Sequence, residues 1–119
     1  METGGPVGKE KSYRFALRII KLSRWLRNKH KEFELSRQLL QSGTAVGALI
    51  HEAEFAQSRA DLINKLQVAL KEANETKYWL MLLRDSGYLS DKMYDSIQPD
   101  IDEILKLLVT SVKSLRDKR

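Results

Sequence analysis

Three glutamates, two histidines and a row of cations are the side chains here whose types and spacing could do chemistry. Glu72 and Glu75 are three residues apart, so on a helix they share a face. With Glu52 they could serve as acid–base groups. The structural alternative is that they bond Arg, Tyr or Trp groups on neighbouring helices, or cross a subunit boundary. A di-iron centre needs paired Glu-x-x-His motifs projecting into a bundle. Arg27 stands three residues before His30 and Ala48 three before His51, so neither histidine carries that motif. There is no cysteine, which excludes thiolate metal sites and disulfides. No serine sits in a Gly-x-Ser-x-Gly elbow, and no glycine-rich loop could cradle phosphate. Ser42 falls inside a helical pattern, where a hydroxyl bonds its own backbone. The residues therefore predict a non-enzymatic protein without metal or cofactor.

The cations are unevenly placed. Residues 1–31 hold nine Lys and Arg against Glu2 and Glu10, a net charge of +7. The rest of the chain holds twelve basic and fourteen acidic residues, a net −2, which gives the formal +5 of the whole. Such asymmetry suits a polyanionic partner, and it equally suits a solvated helix face. Lys11, Arg14, Arg18 and Lys21 share one helical face and could track phosphates. Trp25 lies beside that face and could stack on a base or pack at an interface. No helix-turn-helix, zinc finger or RNP motif is visible, so binding to RNA or DNA would be electrostatic and shape-based. The competing reading is a scaffold whose helix-one charges meet an acidic protein.

Four helices must position these residues. The first runs from about Ser12 to Lys29, with Phe15, Ile19, Leu22 and Leu26 on one face. A second apolar set, Tyr13, Leu17 and Ile20, flanks it. A monomeric bundle needs one stripe per helix, so this set either covers the edge of the core or packs on another subunit. The second helix runs from Leu35 to Phe55 around Leu39, Val46, Ile50 and Ala53. Its Gly43 and Gly47 each cost about 1 kcal/mol relative to alanine, which implies close approach of a neighbouring helix. Ser58 and Asp61 resemble a capping box, and the third helix continues to about Ser86 before Gly87. Its seam is Leu62, Leu66, Ala69, Ala73, Thr76, Leu80 and Leu83. A neighbouring stripe, Val68, Glu72, Glu75, Trp79 and Leu82, mixes carboxylates with large apolar groups. Ser90 can cap the fourth helix, which carries Tyr94, Ile97, Ile101, Ile104, Leu105, Leu108, Val112 and Leu115. Pro99 falls inside it and predicts a kink, or a helix that starts near Pro99.

Short connections between four amphipathic helices predict an all-α, antiparallel up-down-up-down four-helix bundle. At 119 residues it is one domain, spanning residues 12–119 behind a flexible basic arm, residues 1–11. That arm has no apolar core of the secretory kind. No apolar run approaches the roughly 20 residues needed to span a bilayer, so no membrane role is expected. Absence of cysteine fits a reducing cytoplasm.

The stretch LSRQLLQSGTAVGALIHEAEFAQSRADLINKLQVALKEANETKYWLMLL, Leu35 to Leu83, resembles the bacterial 23S rRNA intervening-sequence proteins, often labelled S23 ribosomal proteins. The resemblance covers about residues 12–116 and is strongest over Gln38–Glu52 and Ala69–Leu83. It implies an up-down-up-down bundle that assembles into a ring-like homopentamer. It also implies kinship of architecture with the accessory variability proteins of diversity-generating retroelements, which are basic pentamers that bind nucleic acid and a reverse transcriptase. The family has no established catalytic residues to carry over. Tyr13, Leu17 and Ile20 on helix one, and Glu72, Glu75 and Trp79 on helix three, agree with a ring interface. Many members carry Phe-Pro near the first turn, where this chain has Lys31-Glu32-Phe33-Glu34. Many read Ile-Ala-Glu-Gly where this chain reads Ile50-His51-Glu52-Ala53, which makes a helix end at position 53 less expected here.

Overall fold

The amphipathic periods of the sequence become four helices. The computed structural model describes residues 5–117, and the side chains of residues 8–117. α1 spans Gly5–His30, α2 Glu34–Ala53, α3 Arg59–Asp85 and α4 Asp91–Asp117. Packing runs in chain order, α1 on α2, α2 on α3, α3 on α4, and α4 back on α1. The backbones of α1 and α3 stay apart, as do those of α2 and α4, so each pair lies on a diagonal. The result is the antiparallel bundle, 49 × 21 × 19 Å.

The core is built from the stripes that the helical period defines. Phe15, Ile19 and Leu26 of α1 are buried, as are Leu39, Val46 and Ile50 of α2. Ala69, Ala73, Leu80 and Leu83 of α3 meet Ile97, Ile101, Ile104 and Leu108 of α4. Each fully buried Leu, Ile or Phe contributes about 1.5–3 kcal/mol by leaving water. α1 and α2 approach closely because Gly43 faces Ile19 and Gly47 faces Ser12. One polar contact joins α2 to α3 inside the bundle: the Thr76 and Ser42 hydroxyls lie 2.9 Å apart.

Two boundaries differ from the sequence reading, and of the kink or break expected at Pro99 the break does not occur. α1 begins at Gly5, so residues 5–11 of the expected arm are helical; residues 1–4 lie outside the described residues. Pro6 is tolerated there because the first turn needs no intrahelical N–H bonds. Ser12, the expected start, lies inside the helix; it is buried, and its hydroxyl donates to the Lys9 carbonyl at 3.1 Å. α2 ends at Ala53, not Phe55, although no glycine stands there. Glu54, Phe55 and Ala56 donate to the carbonyls three residues back, His51, Glu52 and Ala53. The last turn therefore tightens into 3₁₀ geometry, and this satisfies orphan carbonyls without a left-handed residue. α4 runs unbroken through Pro99. Pro99 is exposed, so the backbone bond that it removes lies on the solvent side of the helix.

The remaining caps follow the sequence. Ser58 accepts from Asp61 N at 3.0 Å, and the Asp61 carboxylate accepts from Gln57 N at 3.0 Å. Ser90 accepts from Met93 N at 3.1 Å. Gly87, at φ 91°, supplies the left-handed turn after α3.

Candidate nucleic-acid interface

The cations of α1 divide into two groups along the helix. In the N-terminal half each is paired with a carboxylate. Lys9 Nζ lies 2.7 Å from Glu54 Oε1, Lys11 Nζ 2.8 Å from Glu103 Oε1, and Arg14 Nη2 2.7 Å from Glu10 Oε2. Arg18 turns toward α4: Nη1 lies 2.7 Å from Asp100 Oδ2, and Nη2 donates to Ser96 Oγ at 2.8 Å. Such half-exposed pairs stabilise by only about 0–1 kcal/mol, but they neutralise the cation locally. In the C-terminal half, Lys21, Arg24, Arg27 and Lys29, with Lys31 in the turn that follows, are exposed and have no carboxylate partner among the described residues. Of the cations singled out from the sequence, Lys11, Arg14 and Arg18 thus stand in ion pairs and Lys21 stands free.

Trp25 is half-buried against the core, with its ring edge-on to His30 at 4.6 Å between centroids. His30 in turn meets Tyr88 at 5.8 Å. The exposed aromatic of this end is Phe33, 51% exposed, with the Arg27 guanidinium 5.9 Å above its ring centroid. The turn presents it. Lys31 takes a left-handed φ of 55°, and Glu32 N closes onto Leu26 O at 3.1 Å. The Glu32 carboxylate accepts from Leu35 N at 2.9 Å and Ser36 N at 2.7 Å, so the α2 N-terminus already holds its anion. Arg24, Arg27, Lys29 and Phe33 were missed in the sequence reading, although a signal existed. No Asp or Glu occurs between Glu10 and Glu32, so Lys21, Arg24 and Arg27 have no carboxylate one helical turn away in either direction.

The carboxylate stripe of α3 has a different character. Neither Glu72 nor Glu75 has a hydrogen-bond or ion-pair partner among the described residues, so the expected contacts to neighbouring helices are not made within the chain. Burial, and next the Glu75 charge, raise the Glu72 carboxyl above its ordinary value. Trp79 on the same stripe has a buried indole N–H with no acceptor among the described residues. Its ring meets Tyr78 edge-on, with centroids 5.2 Å apart. Glu52 is exposed on α2. Neither histidine joins these carboxylates: His30 lies between Trp25 and Tyr88, and His51 Nδ1 lies 3.1 Å from the Gly47 carbonyl. Among the described residues no three His, Cys, Asp or Glu are grouped to hold a metal ion. At the opposite end of the bundle from Phe33 is an apolar cavity of about 580 Å³, lined by Ile50, Leu62, Leu66, Leu107 and Leu115. No described helix is long and apolar enough to cross a membrane.

Fold and surface together define a basic antiparallel four-helix bundle with an asymmetric first helix. The chain belongs to the 23S rRNA-intervening sequence protein family, whose sequence model matches residues 8–110. It is similar, at 54% identity and a TM-score of 0.91, to a crystal structure from Bacteroides thetaiotaomicron, described as a protein with unknown function from the S23 ribosomal protein family. The match covers 93% of this chain and 99% of that one. No curated protein matches the chain.

Proposed function

We propose that this protein is a non-catalytic, cytoplasmic, oligomeric accessory protein that binds RNA or DNA through the cations of α1. The observation that carries the reading is the run of five exposed cations, four on α1 from Lys21 to Lys29 and Lys31 in the turn after it, with no carboxylate partner among the described residues. Free cations can release counterions from a phosphate backbone, whereas paired ones must first break their own ion pair. The oligomer is supported by the exposed Tyr13 and Leu17 on α1 and by the unpartnered Glu72, Glu75 and Trp79 on α3. A pentamer is the form that the family resemblance favours, and a reverse transcriptase is the kind of protein partner it suggests.

The test is a titration of the protein with labelled structured RNA and duplex DNA at about 50 and 200 mM salt, where six to ten phosphate contacts change affinity by orders of magnitude. Binding with a steep salt slope, weakened by Lys21→Glu with Arg24→Glu, is expected. Absence of binding at the lower salt would overturn the reading in favour of a scaffold whose α1 charges meet an acidic protein.

A further inference from the structure

We infer that the ligand of α1 is a single strand, held at the α1–α2 end of the bundle, with an unpaired base stacked on Phe33. The inference rests on the nucleic-acid reading above and adds to it the place and the strandedness. Lys21, Arg24 and Arg27 are three residues apart. Neighbours at that spacing on a helix have Cβ atoms about 5–6 Å apart. The three therefore form a tilted row of charge without carboxylate partners. The row ends at an aromatic ring, because the Arg27 guanidinium lies over Phe33. That ring is 51% exposed. Its position is fixed by the left-handed Lys31 before it and by the Glu32 carboxylate that closes the first turn of α2.

A charge track that leads to an exposed ring is the arrangement that binds unpaired strands: cations follow the backbone, and the ring takes a base face. A duplex keeps its bases stacked inside and offers Phe33 nothing but phosphate and sugar. The other exposed aromatic near a helix end is Phe55, 82% exposed, and it stands beside Glu52 and Glu54. Phe33 also has acidic neighbours, Glu32 and Glu34, but the Glu32 carboxylate is held by backbone N–H groups of α2 and the Arg27 guanidinium lies over the ring, whereas no cation lies over the Phe55 ring among the described residues. Trp25, the stacking residue expected from the sequence, is packed on the core and on His30, so the ring that a base can reach is Phe33. Unpaired RNA and unpaired DNA share this chemistry.

The experiment compares fluorescently labelled oligo-uridylate, oligo-deoxyuridylate and a duplex of equal length, at two salt concentrations, on the full chain and on Phe33→Ala, Phe33→Tyr and Arg24→Ala. Single strands should bind more tightly than duplex. Phe33→Ala should weaken single-strand binding by about tenfold, in the range of one lost base stack, with duplex binding unchanged and Phe33→Tyr close to the parent. Arg24→Ala should lower the salt slope by about one for every strand. Far-UV circular dichroism checks that each variant remains helical. The two oligonucleotide arms show whether the 2′-hydroxyl contributes. If duplex binds as tightly as single strand, or Phe33→Ala leaves single-strand affinity unchanged while Arg24→Ala still flattens the slope, the stacking inference falls and the electrostatic reading stands. If nothing binds at low salt, both fall.

Discussion

Gly43 and Gly47 look equivalent in the sequence, since both lie on one face of α2 and both imply a close neighbour. Their surroundings separate them. A Cβ at Gly43 would stand 2.8 Å from Cγ2 and 3.0 Å from Cγ1 of Ile19, which is fully buried and has nowhere to move. At Gly47 the nearest atom would be the Ser12 carbonyl oxygen at 3.4 Å, an ordinary contact. Alanine in a helix interior gains about 1 kcal/mol over glycine, and overpacking a core costs about 1–3 kcal/mol. Gly43→Ala should therefore lose stability, by up to about 2 kcal/mol, while Gly47→Ala should hold or gain. Thermal unfolding of the two variants against the parent checks this; a Gly43→Ala protein as stable as Gly47→Ala would mean that Ile19 is loosely held. Close approach was legible in the sequence. Which glycine makes it was not, because that depends on the α1 residue opposite.

Elements were more legible than their ends. The period of apolar residues placed all four helices, and the hydroxyls of Ser58 and Ser90 placed two starts, because both signals are local. Boundaries failed where tertiary contact decided. α1 extends back to Gly5 in company with the Lys9–Glu54 and Lys11–Glu103 pairs, whose partners lie 45 and 92 residues away. For the same reason the sequence could not show that Lys11 and Arg18 are engaged by α4. Pro99 is the sharpest case. A proline in a helix interior costs about 3 kcal/mol relative to alanine, yet α4 does not break. Ile97, Ile101 and Ile104, on either side of it, are buried and hold both halves in register. Pro99→Ala should therefore stabilise the protein. Proline also restricts the unfolded chain by about 0.4–1 kcal/mol, so the expected net gain is about 2 kcal/mol, read from the midpoint of urea unfolding. A destabilised variant would show that α4 depends on the fixed φ of Pro99.

At the scale of the molecule, the arrangement of faces constrains how copies could meet. α1 and α3 occupy one diagonal of the bundle. Tyr13 and Leu17 on α1 are 58% and 48% exposed, and Tyr78 and Met81 on α3 are also exposed. The α3 surface carries the unpaired Glu72 and Glu75 carboxylates, whereas the cations beside Tyr13 and Leu17 are already held in ion pairs, so a contact between these faces would rest on the exposed apolar groups. Because α1 and α3 lie diagonally opposite, α1 of one copy meeting α3 of the next would repeat in one direction. Such a heterologous contact closes into a ring or grows as a filament. A lone copy would leave the Trp79 N–H and the half-buried Glu72 without partners, each a cost that burial makes larger. The expected outcome is a solution mass that is a multiple of 13.8 kDa by light scattering. Leu17→Asp places a charge in the middle of the α1 face and should reduce that mass to the monomer while the far-UV helical signal stays. A monomeric parent protein would remove the assembly and leave Tyr13, Leu17 and Tyr78 as ordinary surface. A parent that assembles equally well with Leu17→Asp would place the contact on a face other than α1.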